Sequence, residues 1–306
     1  MGDMNERVFI TGATGYVGSA VAARLVRAGY EVYGLTRNAE RAAGLTLLGV
    51  HPVVGELSRL ESYLPAVKNC DIVVHTAFDP AETANLDRVA LEAVRTGALD
   101  GRVRRLIYTS GTWVHGDTGG VMVDESAPLH PVELVRWRAA HEDVALDLGE
   151  QEIAVIVLRP GTVYGESRGE MGRWFAAGHE KKVVRYPGSA QHWTMVHRDD
   201  LAEAYLRAIE RGTGGSRYNV NDGSSPTVRE LAEAVARVTG ATAQPWDLDE
   251  FVKRFGLYGK AQFTSQKLSP ARAQSELGWT PRHRSFVDEV EALDHEWQET
   301  RNTPVR

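Results

Sequence analysis

A glycine-rich segment near the N-terminus is the first feature of this chain that indicates a chemical function. Thr11–Gly18 reads Thr-Gly-Ala-Thr-Gly-Tyr-Val-Gly and follows the short apolar run Val8–Ile10. Apolar residues at helical spacing come directly after it, so it lies between a predicted strand and a predicted helix. Unpaired N–H groups and the positive dipole end at a helix N-terminus favour a pyrophosphate. The stretch therefore predicts a dinucleotide-binding loop.

Each glycine of the loop has a predicted physical role. Gly12 permits the tight turn, Gly15 lets a phosphate approach the backbone, and Gly18 lets the helix pack close to the sheet. The alternative is a tight turn that holds no ligand. The cofactor contacts predicted within the loop are Gly12, Thr14, Gly15, Tyr16, Val17 and Gly18.

The end of the second predicted strand indicates which dinucleotide binds. An NAD enzyme usually carries Asp or Glu about 20 residues beyond the glycines, on the ribose 2′-hydroxyl. Here that place holds Arg37, and Arg41 follows one helical turn later. A guanidinium binds a 2′-phosphate bidentately, whereas a carboxylate repels it. We therefore expect NADP(H) rather than NAD(H); the alternative is that Arg37 is a solvated surface arginine.

Composition narrows the class of protein. The chain has 306 residues, a formal net charge of −6 and one cysteine, Cys70. The net charge gives no overall basic field for nucleic acid, and a single cysteine is typical of a reducing compartment. No run of 18 apolar residues predicts a membrane span, and the N-terminus is too polar for a signal peptide. We expect a cytoplasmic protein whose partner is a small molecule.

Strand-like and helix-like segments alternate through the first half of the chain. The predicted strands are 7–10, 31–35, 50–54, 71–75, 105–109 and 153–158, and the predicted helices are 16–28, 38–48, 58–68, 81–96 and 132–148. This alternation predicts an α/β fold with a doubly wound parallel sheet, in which ligands bind beyond the carboxyl ends of the strands. Capping boxes are expected at Ser58–Glu61 and Thr227–Glu230, and Ser269 and Pro270 are expected as N-cap and first residue of a short helix.

Motifs at these strand ends carry a resemblance to a known family. They are Thr11–Gly18, Gly55–Leu57, Val73–Ala77, Tyr108–Thr112, Leu158–Gly165, Val196–Ala202, Ala271–Arg272 and Glu276–Trp279. In this order they resemble the extended short-chain dehydrogenases/reductases of the NAD(P)-dependent epimerase/dehydratase family. The resemblance implies a Rossmann domain over residues 1–160, to which a segment near 190–225 returns. It also implies a smaller substrate-binding part, mostly in 161–306.

The resemblance assigns further residues to the cofactor. It implies one pair near the adenine, a group lining the ribose and nicotinamide channel, and a group flanking the nicotinamide. These are Glu56 and Leu57, then Thr76, Ala77 and Phe78, then Pro160, Gly161 and Val163, with Thr109 and Arg138 as additional contacts. Segments 81–96 and 132–148 form a four-helix dimer interface in many relatives, so a homodimer is one expectation; burial within one chain explains their apolar stripe equally well.

The catalytic pair of this family is missing. Family members carry Ser or Thr after the fifth strand and a Tyr-x-x-x-Lys on the next helix, whose tyrosine exchanges a proton with the substrate. No tyrosine lies between Tyr108 and Tyr164. If Glu142 aligns with the glutamate common in such helices, Leu134 replaces the tyrosine and Arg138 replaces the lysine. Leucine cannot transfer a proton, and arginine stays charged.

Several groups could replace the tyrosine. His115 titrates near neutrality and suits general acid work, although a loop histidine with one structural hydrogen bond is an alternative. Tyr164 follows the nicotinamide-flanking residues, and packing is its alternative role. A water held by Ser110 or Thr112 could also deliver the proton, while Arg138 and Thr112 polarise a carbonyl.

Aromatic residues hint at the substrate. Those expected to contact it are Trp113, Trp137, Trp174, Tyr186 and Trp193, although half of them could simply fill the core. Such side chains suit an apolar or polycyclic ligand. The sequence favours an NADP(H)-dependent reductase of a carbonyl or conjugated alkene. A non-redox isomerase, lyase or cyclase that keeps its cofactor, and an NADP-sensing regulatory protein, remain open. No metal ligand set is expected.

Overall fold

Seven parallel strands form the central sheet of the computed structural model, which describes residues 6–79, 82–188 and 190–302. From one edge to the other they are β11 (Arg217–Val220), β7 (Ala154–Pro160), β5 (Arg105–Thr109), β4 (Ile72–His75), β1 (Arg7–Thr11), β2 (Glu31–Thr36) and β3 (His51–Val54). Every neighbouring pair is parallel. The predicted doubly wound α/β fold is therefore confirmed. The chain rejoins the sheet at β11, within the segment near 190–225.

Helices cover both faces of the sheet and build the rest of the molecule. They are α1 (Tyr16–Arg27), α2 (Ala39–Leu47), α3 (Leu64–Lys68), α4 (Thr83–Leu99), α5 (Arg136–Asp147), α6 (Gly169–Lys181), α7 (Arg198–Arg211), α8 (Val228–Thr239), α9 (Leu248–Ala261), α10 (Ala271–Leu277) and α11 (Val290–Thr300). Three two-stranded ribbons complete the described structure. They pair β6 (Met122–Val123) with β13 (Lys267–Leu268), β8 (Thr162–Tyr164) with β10 (Met195–His197), and β9 (Val183–Pro187) with β12 (Thr242–Trp246).

Apolar burial falls into three clusters. One packs α1, α7 and α10 on a face of the sheet, and the second packs α3 and α4 on the opposite face. The third lies away from the sheet, between α6, α8 and α11. Among the described residues, no helix has the length and apolarity needed to cross a bilayer.

Two of the predicted helix starts are wrong. The expected capping box at Ser58 does not form, because the segment is a 3-10 turn, Leu60–Ser62, followed by α3. Pro65 lies in the first turn of α3, where its missing N–H is tolerated, so a single helix over 58–68 would place it in the interior. The N-cap of α10 is Pro270 rather than Ser269, whose hydroxyl accepts the N–H of Ala271 at 3.2 Å. The capping box of α8 at Thr227 is confirmed.

Candidate functional site

The glycines of the loop after β1 are required by close contacts. Gly12 has φ +72°, and a Cβ there would lie 2.8 Å from Ala77 Cα. At Gly18 a Cβ would lie 2.1 Å from the Gly12 carbonyl oxygen and 2.6 Å from Thr76 Oγ1. At Gly15 it would lie 2.9 Å from the same carbonyl oxygen, which accepts the Gly15 N–H. The loop is thus packed against itself and against the end of β4.

The loop geometry fits a dinucleotide pyrophosphate. The N-cap of α1 is Gly15, and no side chain caps the helix. First-turn N–H groups without a side-chain cap, together with the helix dipole, make a site for an anion. Tyr16 anchors the loop to the second half of the chain, because its hydroxyl donates to the Gly165 carbonyl at 2.7 Å. Burial raises the pKa of this hydroxyl, so it stays protonated.

Arg37 lies at the carboxyl end of the neighbouring strand. Its side chain is 73 % exposed, and Asp79 Oδ2 lies 3.9 Å from Nη1. Ion pairs this exposed are weak, so the guanidinium can exchange Asp79 for a phosphate. Arg41, also exposed, follows on α2.

A cavity of about 860 Å³ opens beyond the carboxyl ends of β5 and β7. It gathers part of each group of residues that the sequence predicted. Phe78, Pro160 and Gly161 come from the predicted cofactor contacts, Ser110, Thr112 and Arg138 from the catalytic candidates, and Trp113 and Trp137 from the substrate contacts.

Arg138 and Leu134 lie together on the wall of this cavity. Leu134 belongs to a 3-10 turn, Glu133–Val135, that leads into α5. The Nη1 of Arg138 donates to the carbonyl oxygens of Thr109 at 2.7 Å and Ser110 at 3.3 Å. The guanidinium carbon also lies 4.7 Å from the Trp137 ring centroid. The arginine is thereby fixed at the end of β5.

Ser110 is less available than the sequence suggested. Its hydroxyl donates to Glu142, a fully buried carboxylate on α5. Arg159 also binds Glu142, with Nη2 at 2.6 Å, and Arg217 Nε lies at 3.2 Å. A hydroxyl committed to a buried carboxylate is a weak candidate for contacting the substrate, which leaves Thr112 as the better one.

His115 is not at the cavity, contrary to its predicted role as a general acid. It is buried, and its Nε2 lies 3.0 Å from Asn219 Oδ1 and 3.3 Å from Arg159 Nη1. Burial, and then the charge of Arg159, lower its pKa. Nearly inaccessible and held neutral, this histidine cannot deliver a proton to a ligand in the cavity.

Four other predicted site residues belong to the core rather than the cavity. The Tyr164 hydroxyl donates to Asp222 Oδ2 at 3.3 Å, and burial raises its pKa. The residues Trp174, Tyr186 and Trp193 are at most 4 % exposed and belong to the apolar cluster between α6, α8 and α11. All three side chains face the core, and their predicted contact with the substrate stays a prediction.

Three residues that no sequence motif indicated reach the cavity from distant segments. Glu170 lies in the first turn of α6, Tyr258 lies in α9, and Gln262 is the C-cap of α9. The approach of Tyr258 and Gln262 depends on a bend in α9 at Gly256, whose φ is +57°. The glycine itself was the available signal, because an isolated glycine inside a helical segment often has a structural reason.

A buried carboxylate beneath the cofactor loop was also missed. Asp87 of α4 accepts hydrogen bonds from His75 Nε2 at 3.0 Å, His141 Nδ1 at 2.7 Å and the Tyr108 hydroxyl at 2.8 Å. His75 Nδ1 lies 2.7 Å from Thr11 Oγ1, the last residue of β1. The network therefore connects the start of the loop to α4 and α5.

One described group of side chains brings potential metal ligands together. His197, Asp200 and His283 each offer a ligand atom within 4.8 Å of the others. The two imidazoles stack, with centroids 3.8 Å apart and planes 28° apart. Asp200 Oδ2 accepts the backbone N–H of His283 at 2.8 Å, so this carboxylate has a structural role in holding the two segments together.

Comparison with known proteins identifies the class to which this fold and site belong. The family model described as NAD dependent epimerase/dehydratase family matches residues 8–221. The chain belongs to this family, as the sequence motifs predicted.

Its relatives include one uncharacterised protein and two proteins that are named as reductases. An uncharacterised protein of Schizosaccharomyces pombe is 31 % identical over 93 % of this chain and 98 % of its own. The 4-hydroxy-2-methyl-3-oxo-4-farnesyl-3,4-dihydroquinoline-1-oxide ketoreductase of Stigmatella aurantiaca is 27 % identical, covering 78 % of this chain and 75 % of its own. The 3-diazoavenalumate denitrifying reductase of a Streptomyces species is 29 % identical, covering 92 % and 98 %.

A solved structure with a similar fold is the Thermus thermophilus UDP-glucose 4-epimerase in complex with NAD. Its TM-score is 0.77 at 24 % identity, covering 97 % of this chain and 99 % of the other. At this identity the likeness shows the fold. The family and the relatives make the chain an enzyme of the NAD(P)-dependent epimerase/dehydratase kind.

Proposed function

We propose that this chain is an NADP(H)-dependent reductase that acts on a carbonyl or conjugated alkene of a small, apolar or aromatic molecule. The observation that carries the proposal is the cavity beyond β5 and β7, which Arg138, Pro160 and Gly161 line together. The ketoreductase and denitrifying reductase among the relatives support reductive chemistry.

The residues on the cavity wall have separable roles in this proposal. Bound NADPH would supply the hydride. The guanidinium of Arg138 has five N–H donors. Those on Nη1 bind the carbonyl oxygens of Thr109 and Ser110. The N–H groups on its other nitrogens would polarise the substrate carbonyl. Thr112 would hold a water that protonates the resulting alkoxide, and the hydroxide left behind would take a proton from solvent. Leu134, in place of a tyrosine, contributes an apolar wall and no proton.

The preference for NADP(H) rests on Arg37. The guanidinium lies at the end of β2, exposed and paired only loosely to Asp79. Bidentate binding of a 2′-phosphate would be stronger than this exposed pair.

Cofactor titration tests the first half of the proposal. The purified protein is titrated with NADPH and, separately, with NADH, following energy transfer from its seven tryptophans to the nicotinamide. We expect tight binding of NADPH and weak binding of NADH. Ketones and enones with aromatic or alicyclic groups are then screened for loss of nicotinamide absorbance. Binding of NADPH with no reduction across a broad panel would contradict the proposal.

A second function is favoured by one observation. Leu134 and Arg138 both line the cavity. By the resemblance they replace the family's proton-transferring tyrosine and lysine, and this alignment leaves the cavity without the usual group that protonates an alkoxide. An isomerase, lyase or cyclase that keeps its cofactor unchanged would not need that step. Product formation with constant nicotinamide absorbance would identify it.

A further inference from the structure

The cavity beyond β5 and β7 carries little positive charge. Its charged lining residues, among those that the structure describes, are Glu82, Glu170 and Arg138. Arg138 already gives Nη1 to two carbonyl oxygens. A diphosphate-linked substrate brings at least two negative charges that need basic or N–H partners. Two carboxylates and one partly used guanidinium offer it a poor site.

Aromatic rings make up much of the remaining wall. Phe78 and Trp137 lie on the side of Arg138, with the guanidinium carbon 5.6 Å and 4.7 Å from their centroids. Trp113 and Tyr258 meet edge to face, with centroids 6.1 Å apart and planes 68° apart. Four rings around one cavity favour a flat ligand that can stack on them.

Tyr258 is held in place by groups outside the cavity's aromatic wall. Its hydroxyl donates to Glu170 Oε2 at 2.9 Å and accepts from Arg173 Nη2 at 3.2 Å. The indole N–H of Trp174 donates to the other oxygen of Glu170 at 3.1 Å. With its hydroxyl used on both sides, Tyr258 can offer a ligand only its ring.

The backbone of α9 brings this ring to the cavity. Gly256 has φ +57° and ψ −138°, which bends the helix two residues before Tyr258. Only glycine adopts such a conformation readily. The ring is therefore positioned before a ligand arrives, which reduces the entropic cost of binding.

We propose that Tyr258 is a specificity-determining residue, and that the hydrogen-bonded cluster Glu170–Tyr258–Arg173 holds its ring to select an uncharged, planar aromatic substrate over a diphosphate-linked one. The proposal rests on the proposed function in one respect, namely that the cavity beside Arg138 is where the substrate binds.

Binding of three probes tests the proposal. The protein, with and without saturating NADPH, is titrated by calorimetry with 1-acetonaphthone, with cyclohexyl methyl ketone and with UDP-glucose. We expect the naphthyl ketone to bind about 10-fold more tightly than the saturated ketone, from stacking on fixed rings. UDP-glucose should bind more weakly than either. Tighter binding of UDP-glucose than of the naphthyl ketone would overturn the proposal.

Variants in α9 distinguish an effect of the Tyr258 ring from a general effect of changing this helix. Tyr258→Ala should lower the affinity for the naphthyl ketone about 10-fold and the affinity for the saturated ketone less than about 3-fold. Tyr258→Phe, which keeps the ring and loses its hydrogen bonds, should give an intermediate loss. Phe255→Ala removes a 41 % exposed ring of the same helix that packs on Trp246, and should change neither affinity. Equal losses for both ketones in Tyr258→Ala would assign Tyr258 a structural role only.

Nicotinamide absorbance in the same solutions separates the two proposals. Selective binding of the naphthyl ketone without oxidation of NADPH would contradict the reductase and leave the role of Tyr258 standing. Oxidation of NADPH by ketones without any preference for the planar ring would support the reductase and contradict the role of Tyr258.

Discussion

Arg37 is the side chain on which the proposed choice of NADP(H) rests. Replacing it by Glu exchanges an attraction for a repulsion at the 2′-phosphate. A hydrogen bond to a charged group contributes roughly 1.5–3 kcal/mol, so Arg37→Glu should raise the Kd for NADPH about 10- to 100-fold. The affinity for NADH, which lacks the phosphate, should change little. Both are measured by energy transfer from tryptophan.

The matched control for this variant is Arg229→Glu. Arg229 is an exposed residue at the start of α8, and its replacement changes the net charge by the same amount. This variant should bind NADPH as the parent does. An Arg37→Glu variant with unchanged NADPH affinity would show that Arg37 is only a solvated surface arginine.

Among the secondary-structure elements, α5 has a buried face and an exposed face, and the ion pairs on these two faces should contribute very differently to the free energy of unfolding. Glu142 is fully buried and binds Arg159 and Ser110, whereas the neighbouring Asp143 is 70 % exposed and pairs with Arg217 at 2.6 Å. Removing one partner of a buried ion pair leaves the other charge uncompensated. Glu142→Ala should therefore lower the free energy of unfolding by about 3–5 kcal/mol, and Asp143→Ala by ~0–1 kcal/mol. Urea denaturation measures both, and equal losses would contradict the argument.

The strands and helices of the sheet were largely predictable from the sequence. The segments of the second half that pack over the site were not. The loop at Gly12 and the strand ends at Ser110 and Pro160 follow from patterns local in sequence, because parallel strands present their carboxyl ends at one edge. The burial of His115 and Trp174 could not be predicted, since spacing does not tell which face of a turn or helix another segment will bury. Tyr258 was missed because its approach depends on a bend in α9 and on contacts with α6.

At the scale of the whole molecule, two buried carboxylates give the stability opposite dependences on pH. Burial alone would raise the pKa of Asp87, but hydrogen bonds from His141, His75 and Tyr108 outweigh it and hold the pKa well below its usual range. A depressed folded pKa contributes stability above the unfolded value, and this is lost as the pH falls. We expect Asp87→Asn to be less stable at pH 7 and to lose less stability than the parent on acidification below about pH 4. Unfolding by urea across this range measures it, and parallel curves would contradict it.

Asp222 should act in the other direction. Burial raises its pKa from 3.8 to about 6, against hydrogen bonds from Ser224 and Tyr164. A raised folded pKa favours the protonated folded state, so this contribution is fully present below pH 3.8 and is lost as the pH rises through about 6. At pH 8 the charged form costs up to about 3 kcal/mol, since each pKa unit corresponds to about 1.4 kcal/mol. Asp222→Asn removes that charge and keeps an oxygen to accept the Ser224 N–H, now 2.8 Å from Asp222 Oδ1. The variant should therefore gain stability relative to the parent as the pH rises from 4 to 8. A stability difference that stays constant over this range in urea denaturation would show that the carboxylate is already solvated in the folded protein.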